Sequence, residues 1–540
     1  MHQRPRRPDA EGPVRSVEIV LGLVVFATVV ATFAGRLRAP APSLLVLVGF
    51  GVGLIPGAPD IRLGPSAVSL IVLPPLIYSG ATDVALNELR RVATPVAALA
   101  IGLVAVTAAA VAAVVHGLAP AVPLRVALVL GAVLASTDPV AVSALARLLR
   151  LPSGLLALVQ GESLLNDATG LVLFRVALSA VVAGGTSAAT AAGQFGLLAG
   201  GGIAVGAAAA MLARLLRRQT EDPVLITVLS VVLPYAVYVG AESIHVSGVT
   251  AVVVAGLAAG RRDPRRGNAE GRIATATVYE VLVFLLESVV FALIGLQLPT
   301  LLRRLPPTEP AALPLVLAVT GVLLLVRMLW VAPTALVSKQ SGPLRRGEGN
   351  APAWKLAAVA TWAGTRGVVP LAAALSIPLT AGPAPFPHRD LILLLASGVI
   401  VVSLVVQGLT LAPLVRRLGV SDDPARLAHE EALARHVAAL AARDRLEELL
   451  AVDAAPVVVA DRLRRAVDDR LTRTQARLGE PAAEVGSDAR STAEAYRSLR
   501  RDLIDAEAAA LLRMRDQGQL GEGVRRQLQA ALDAESTGLR

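Results

Sequence analysis

Residues 161–170 read Gly161-Glu162-Ser163-Leu164-Leu165-Asn166-Asp167-Ala168-Thr169-Gly170, and their reading decides the fold. They lie inside an apolar run, roughly 155–181, long enough to cross a bilayer. An Asp at the centre of a membrane helix costs about 2.5–3.5 kcal/mol on a translocon scale, and here Glu, Asn and Asp fall together. At helical spacing Glu162 and Asn166 share one face, with Thr169 and Gly170 a turn further on; Ser163 and Asp167 share the neighbouring face. The resulting polar stripe must face protein or water rather than lipid. It serves either as a hydrogen-bonded packing cluster or as an ion site. An adjacent Asn-Asp with a Glu one turn earlier favours the second use, because one such carboxylate holds a cation or a proton but not readily both.

The rest of the chain agrees with a membrane setting. Its 540 residues are 54% hydrophobic and 17% charged, with a mean hydropathy of +0.64, far from a soluble domain. There is no Cys, hence neither a disulfide framework nor a thiolate metal site. The net charge of +10 comes mostly from Arg in loops and tail, which marks topology and contact with anionic lipid rather than nucleic acid. Arg4, Arg6, Arg7 and Arg15 precede a first apolar run too long for a signal-peptide core, so residues 1–16 are a tail and the run is a first span.

Thirteen apolar segments follow one another, at roughly 17–35, 43–57, 66–82, 92–116, 122–147, 155–181, 192–216, 223–241, 246–260, 276–300, 310–338, 353–380 and 390–415. The odd-numbered connections carry 18 Lys and Arg against five in the even-numbered ones, which places the odd connections and the C-terminal tail in the cytoplasm. The four Arg residues of the N-terminal tail oppose that orientation and are outvoted by the loops.

Two spans should be broken. In the fifth, Ala135-Ser136-Thr137-Asp138-Pro139-Val140 puts a Pro inside a helix, where it removes a donor and clashes with the preceding turn. Asp138 at the break is a natural N-cap for a half-helix starting at Pro139, a role compatible with shaping an ion site. In the twelfth, Thr361-Trp362-Ala363-Gly364-Thr365-Arg366-Gly367-Val368-Val369-Pro370 brackets an Arg with two Gly and a Pro. Arg366 cannot deprotonate and needs an anion, with Glu162, Asp138 and Glu287 as candidates. The two breaks fall at matching positions in two six-span halves, 1–6 and 8–13, the arrangement of an inverted repeat with its site at the repeat interface.

Thr-Asp-Pro in one span, Glu-Ser-Leu-Leu-Asn-Asp in the next and Gly-Thr-Arg-Gly-Val-Val-Pro late in the chain together resemble the monovalent cation:proton antiporter family 1, which includes bacterial and animal sodium/proton exchangers. The resemblance spans roughly residues 20–415. It implies an all-α membrane protein of thirteen transmembrane helices in two inverted six-helix repeats with broken crossing helices. It further implies a dimer domain (about 17–82 and 223–300), a core domain (about 92–181 and 310–415), a linker helix (about 192–216) and a homodimer in the cell membrane. By motif position, Asp167 is the carboxylate that binds Na⁺ or a proton in turn; Asn166, Thr137, Asp138 and Ser163 surround it, and Glu162 and Arg366 resemble the family's structural ion pair. The chain departs from the family at Ser79, which follows Leu73-Pro74-Pro75-Leu76-Ile77-Tyr78 where an acidic residue is common. Glu287 in the tenth span either faces a cation funnel or hydrogen-bonds within the dimer domain.

After residue 418 the composition turns to Ala, Arg, Glu, Asp and Leu. Val459, Leu463, Val467 and Leu471 recur every four residues, as do Leu499, Leu503, Ala506, Ala510 and Met514 in part, so 419–540 is expected to be a helical cytoplasmic tail. The expected activity is electroneutral exchange of a cytoplasmic monovalent cation, Na⁺ before K⁺, for an external proton. No enzyme chemistry and no cofactor are expected. A cation channel and a non-transporting membrane sensor are the rival classes.

Overall fold

The computed structural model describes residues 13–37, 41–56, 65–84, 96–138, 151, 153–183, 187–220, 222–260, 269–304, 311–341, 352–420, 424–451 and 457–479, with isolated positions between 503 and 528. The chain divides into two units, Met1–Ser421 and Asp422–Arg540.

Among its described residues the first unit is helical almost throughout. Its helices are α1 (Pro13–Leu37), α2 (Ala41–Gly53), α3 (Pro65–Ile71), α4 (Leu73–Asp83), α5 (Val104–Leu118, entered through a π-helical turn at Ala98–Leu103), α6 (Leu124–Ala135), α7 (Ser153–Val182), α8 (Ala188–Arg217), α9 (Pro223–Ser243), α10 (Gly248–Gly260), α11 (Ala269–Arg304), α12 (Ala312–Ser341), α13 (Ala353–Trp362), α14 (Val368–Leu375), α15 (Arg389–Val402) and α16 (Gly408–Leu418). A second π-helical turn, Ser403–Gln407, joins α15 to α16. A small hairpin, β1 (Thr380–Ala381) with β2 (Ala384–Pro385), precedes α15. Among the described residues seven helices are long and apolar enough to cross a membrane, by length and composition, and five more are apolar but shorter.

The interruptions follow the residues that cause them. The third apolar segment breaks at Val72, just before Leu73-Pro74-Pro75, because Pro is tolerated only in the first turn of the helix that follows. Helix α6 stops at Ala135 and the chain runs on in extended form from Ser136. Helix α13 stops at Trp362, and an irregular stretch leads to α14 at Val368. Both breaks lie in the spans where the sequence puts them; Pro139 itself is outside the described residues.

Helix α6 occupies the middle of the unit, buried from Val126 to Ala135 except at Leu128, and packs on α5, α7, α14 and α15. That position needs small and branched apolar side chains on every face, and Val126-Ala127-Leu128-Val129-Leu130-Gly131-Ala132-Val133 supplies them. Helix α2 lies against α11 through Gly49, Gly53, Ala292 and Gly295, small residues that allow close backbone approach in an apolar solvent. Helix α8 is the opposite case: Leu197, Met211 and Leu212 are all more than half exposed, as expected of a helix solvated by lipid.

The second unit contains α17 (Pro424–Leu450) and α18 (Val457–Gly479), packed antiparallel. Arg464 grips Glu447 with both nitrogens of its fork (3.0 and 3.1 Å), and His436 Nδ1 lies 3.0 Å from Thr474 Oγ1. Val459, Leu463, Val467 and Leu471 lie on α18, the helix their spacing predicts, but the buried side follows that spacing only in part. Leu471 is buried, whereas Val459 and Leu463 are exposed and Ala460 is buried instead. A step of four residues overshoots a helical turn of 3.6, so a stripe at that spacing winds around the helix and leaves the contact. Leu499 and Met514 lie outside the described residues.

Candidate functional site

The two breaks meet. Extended backbone at Ser136-Thr137-Asp138 runs beside the irregular Gly364–Gly367, and the strands exchange bonds. Asp138 N–H donates to the Thr365 carbonyl (2.8 Å), and Thr365 Oγ1 donates to the Asp138 carbonyl (3.0 Å). The Asp138 carboxylate then accepts from Val368 N–H (3.2 Å). It caps α14, across the crossing, where a negative charge complements the helix dipole. The half-helix at Pro139 that the sequence offers for this cap lies outside the described residues.

Gly367 is required by that cap. A Cβ built on it would sit 1.4 Å from Asp138 Oδ2. Gly364 is required in the same way by Arg327, since a Cβ there would lie 2.3 Å from Nε. The two Gly of the twelfth span are therefore clearance for two charged side chains as well as breakers.

Helix α7 presents its polar stripe to the other side of the crossing. Asn166 Oδ1 accepts from Thr137 N–H (3.3 Å), and Asn166 Nδ2 donates to Thr137 Oγ1 (2.7 Å). Ser163 Oγ and Thr137 Oγ1 are 3.1 Å apart. Asn166 thus satisfies the backbone and side chain of Thr137 at once, where α6 can no longer do so. Asp167 is on the same helix, buried with 8% of its surface exposed, and its Oδ1 has no hydrogen-bond partner. Asp138 and Glu162, both acidic, act on it electrostatically.

The expected pairing of Glu162 with Arg366 is corrected. Glu162 is held by Arg327 of α12, Nη1 to Oε1 at 2.5 Å and Nη2 to Oε2 at 2.8 Å, in the fork-to-fork geometry that a guanidinium makes best. Arg327 also donates to the Ala360 carbonyl in the last turn of α13. Arg366 instead donates from Nε to the Leu134 carbonyl (2.8 Å) and from Nη1 to the Gly364 carbonyl (2.6 Å). The physical reason is the break itself. The C-terminal ends of α6 and α13 leave carbonyls without helical partners, and these carry the negative end of the helix dipole. The break thus supplies its own counter-charge to the Arg it contains.

Arg327, Ser403 and Gln407 were missed by the sequence reading. Arg327 stands alone in Gly321-Val322-Leu323-Leu324-Leu325-Val326-Arg327, and a lone ionisable residue in an apolar span was the available signal. Ser403 and Gln407 are buried beside the crossing, four residues apart in the thirteenth segment. Glu287 is half-buried on α11 and interacts electrostatically with Asp138, so it lies toward the crossing. Ser79 is half-buried on α4.

The charges of the crossing are thereby matched unevenly. Glu162 has Arg327, Asp138 has the N-terminus of α14, and Arg366 has two carbonyls. Asp167 has a side-chain hydrogen bond from Ser136 but its Oδ1 is left without a partner, and an ionised carboxylate in such surroundings is costly unless a proton or a cation neutralises it. Among the described residues no group of three or more His, Cys, Asp or Glu could hold a metal ion.

The span that holds the crossing matches known proteins. A family model described as sodium/hydrogen exchanger, transmembrane, covers residues 23–417. The chain is 34% identical to an uncharacterized Na⁺/H⁺ exchanger of Mycobacterium tuberculosis over 98% of its own length and 97% of that protein. It is 31% identical to the sodium, potassium, lithium and rubidium/H⁺ antiporter of Bacillus subtilis over 72% of this chain and 59% of that one. It is 32% identical to the Na⁺/H⁺ antiporter NhaP of Pseudomonas aeruginosa, over 64% of this chain and 80% of that one. Among solved structures, the sodium proton antiporter MjNhaP1 of Methanocaldococcus jannaschii shares the fold, with a TM-score of 0.60 at 22% identity over 75% of this chain and 99% of that one. A family match across both broken helices and the acidic stripe between them, on a chain rich in membrane-length helices, leaves one assignment: this integral membrane protein belongs to the sodium/hydrogen exchanger family of monovalent cation:proton antiporters.

Proposed function

We propose that this antiporter exchanges cytoplasmic Na⁺ for external H⁺ through Asp167, one charge for one. The observation that carries this is the buried, unpartnered Oδ1 of Asp167 among acidic and amide groups that are already satisfied. A proton and a cation compete for that carboxylate. Either neutralises it, and only the neutral site crosses the dielectric barrier at low cost. Asn166, Thr137, Asp138 and Ser163 hold the shape of the site, and Glu287 lines the path to it. The neighbour of Asp167 is Asn166 rather than a second acid, so a single titrating group makes the exchange electroneutral.

In this proposal thirteen helical segments cross the cell membrane as two inverted repeats. A core domain (about 92–181 and 310–415) moves against a dimer domain (about 17–82 and 223–300), with α8 as the linker between them and two copies joined as a homodimer among anionic lipids. Residues 419–540 are cytoplasmic. Exchange needs no covalent step, hence no enzyme activity and no cofactor. A wider cation range is the second reading, favoured by the Bacillus relatives that carry sodium, potassium, lithium and rubidium in their names.

Reconstitution in proteoliposomes tests the proposal. A sodium jump should move protons in a saturable way that is insensitive to membrane potential, and Asp167→Asn should abolish it while folding persists. Sodium current would indicate a channel, and no flux in wild type a sensor. Near-wild-type exchange by Asp167→Asn would move the site elsewhere. The same assay with K⁺ and Li⁺ decides the cation range.

A further inference from the structure

Trp362 and Arg366 are four residues apart, so in an unbroken helix Arg366 N–H would donate to the Trp362 carbonyl. The break between α13 and α14 removes that bond in a place where unpaired main-chain groups are costly. A neighbouring turn takes up both ends. Arg366 N–H donates to Ser403 Oγ (3.0 Å), the Ser403 hydroxyl donates to Gln407 Oε1, and Gln407 Nε2 donates to the Trp362 carbonyl (3.4 Å). Two side chains in series thus stand where one main-chain bond is missing. Both are buried, at 3% and 5% exposed. They belong to the π-helical turn Ser403–Gln407, a local widening of the helix that is over-represented at functional sites.

We propose that Ser403 and Gln407 are positioning residues for ion exchange: a side-chain splint that bridges the Trp362–Arg366 gap and sets the opening of the crossing. Thr365 lies inside the bridged gap and bonds Asp138 in both directions. Thr137, next to Asp138, is held by Asn166, and Asn166 is adjacent to Asp167. A change in the gap therefore reaches α7 at Asn166, next to Asp167, through hydrogen bonds alternating with main-chain links between neighbouring residues. The splint rests on the proposal that exchange occurs at this crossing, and it adds the device that keeps the crossing in register.

The test uses the full-length protein with Ser403→Ala, Gln407→Leu, both together, and Ser403→Thr as the hydroxyl-retaining rescue. The first readout is amide hydrogen exchange across residues 363–368, which does not depend on transport. Ser403→Ala should exchange about tenfold faster there, and Ser403→Thr should match wild type. The second is the Na⁺ concentration for half-maximal proton exchange in proteoliposomes. Each single variant should raise it about three- to tenfold, and the double variant no further than the worse single, because the two side chains act in series. Unchanged amide protection overturns the splint. So does a Na⁺ dependence within about twofold of wild type alongside lowered thermal stability, which marks a merely structural role, and so do single effects that multiply in the double. If Gln407→Leu does not fold, Ser403→Ala, which loses one oxygen, carries both readouts. If wild type itself shows no exchange, the proposed function fails and the amide readout alone decides the splint.

Discussion

Breaking the Glu162–Arg327 pair should be the most damaging conservative change in the crossing. The two side chains are 2% and 3% exposed and share two charge-assisted hydrogen bonds of 2.5 and 2.8 Å. Each such bond contributes about 1.5–3 kcal/mol, and removing one partner of a buried pair costs about 3–5 kcal/mol because the other charge is stranded. Glu162→Gln keeps the shape and leaves Arg327 with the Ala360 carbonyl. Arg327→Gln strands Glu162 and gives up that carbonyl contact too, so it should cost more. For a cooperative unit of roughly 400 residues, with an unfolding entropy of about 2 cal/mol/K per residue, a loss of about 4 kcal/mol lowers Tm by about 5 °C. Thermal unfolding in detergent reads this directly. The double change Glu162→Gln/Arg327→Gln should recover at least about 2 kcal/mol relative to the summed singles, and more than Glu162→Gln/Arg366→Gln recovers, because Arg366 feels the Glu162 charge but is held by the Leu134 and Gly364 carbonyls. The reverse pattern, coupling to Arg366 and additivity with Arg327, would refute the assignment.

Gly367→Ala should drive the Asp138 carboxylate off Val368, losing a cap of about 1 kcal/mol with about 1–3 kcal/mol of overpacking, read as a lower Tm and a higher Na⁺ half-saturation; wild-type values for both would contradict the clearance role. Asn166→Asp removes the donor to Thr137 Oγ1 and places a like charge beside Asp167, so it should give damaged rather than electrogenic exchange, and robust voltage-dependent flux would sink the single-carboxylate account. In the second unit, the hydrogen bonds from Arg464 hold the Glu447 carboxyl below its usual range. A depressed folded value means that the contribution is present above the unfolded carboxylate range, about pH 4.3, and is lost as pH falls through the folded value. Helical signal from α17 and α18 should therefore be more acid-sensitive in wild type than in Glu447→Gln, and equal acid profiles would show that the pair contributes nothing.

Hydropathy and punctuation made much of the fold legible. Apolar runs, Pro74-Pro75, and Gly364 with Gly367 act through local sterics and solvent, which depend on neighbours in sequence, and the helices begin and stop close to them. The polar stripe of α7 was legible for the same reason, since helical spacing alone aligns Glu162 with Asn166 and Ser163 with Asp167. The tail repeat marked a helix, and α18 is there, but a spacing of four is close to a helical turn and not equal to it, so the buried side follows the repeat only in part: Leu471 and Ala460 are buried and Val459 is exposed.

Which residue types stand in the membrane, and that two helices must break there, are properties of the chain read along its length. Which charge meets which is not. Glu162 lies 165 residues before Arg327 and 204 before Arg366, and no local rule separates the two. The choice was made in three dimensions: the ends of α6 and α13 expose carbonyls that satisfy Arg366, and that freed Glu162 for the fork of Arg327. The same holds for Asp138, whose cap falls on a helix that starts 230 residues later. Burial and dipole ends become defined only when segments distant in sequence pack together, so Glu162, Asp138 and Arg366 stood out along the chain, whereas the part of Arg327 and the pairing of all four were decided by the tertiary structure.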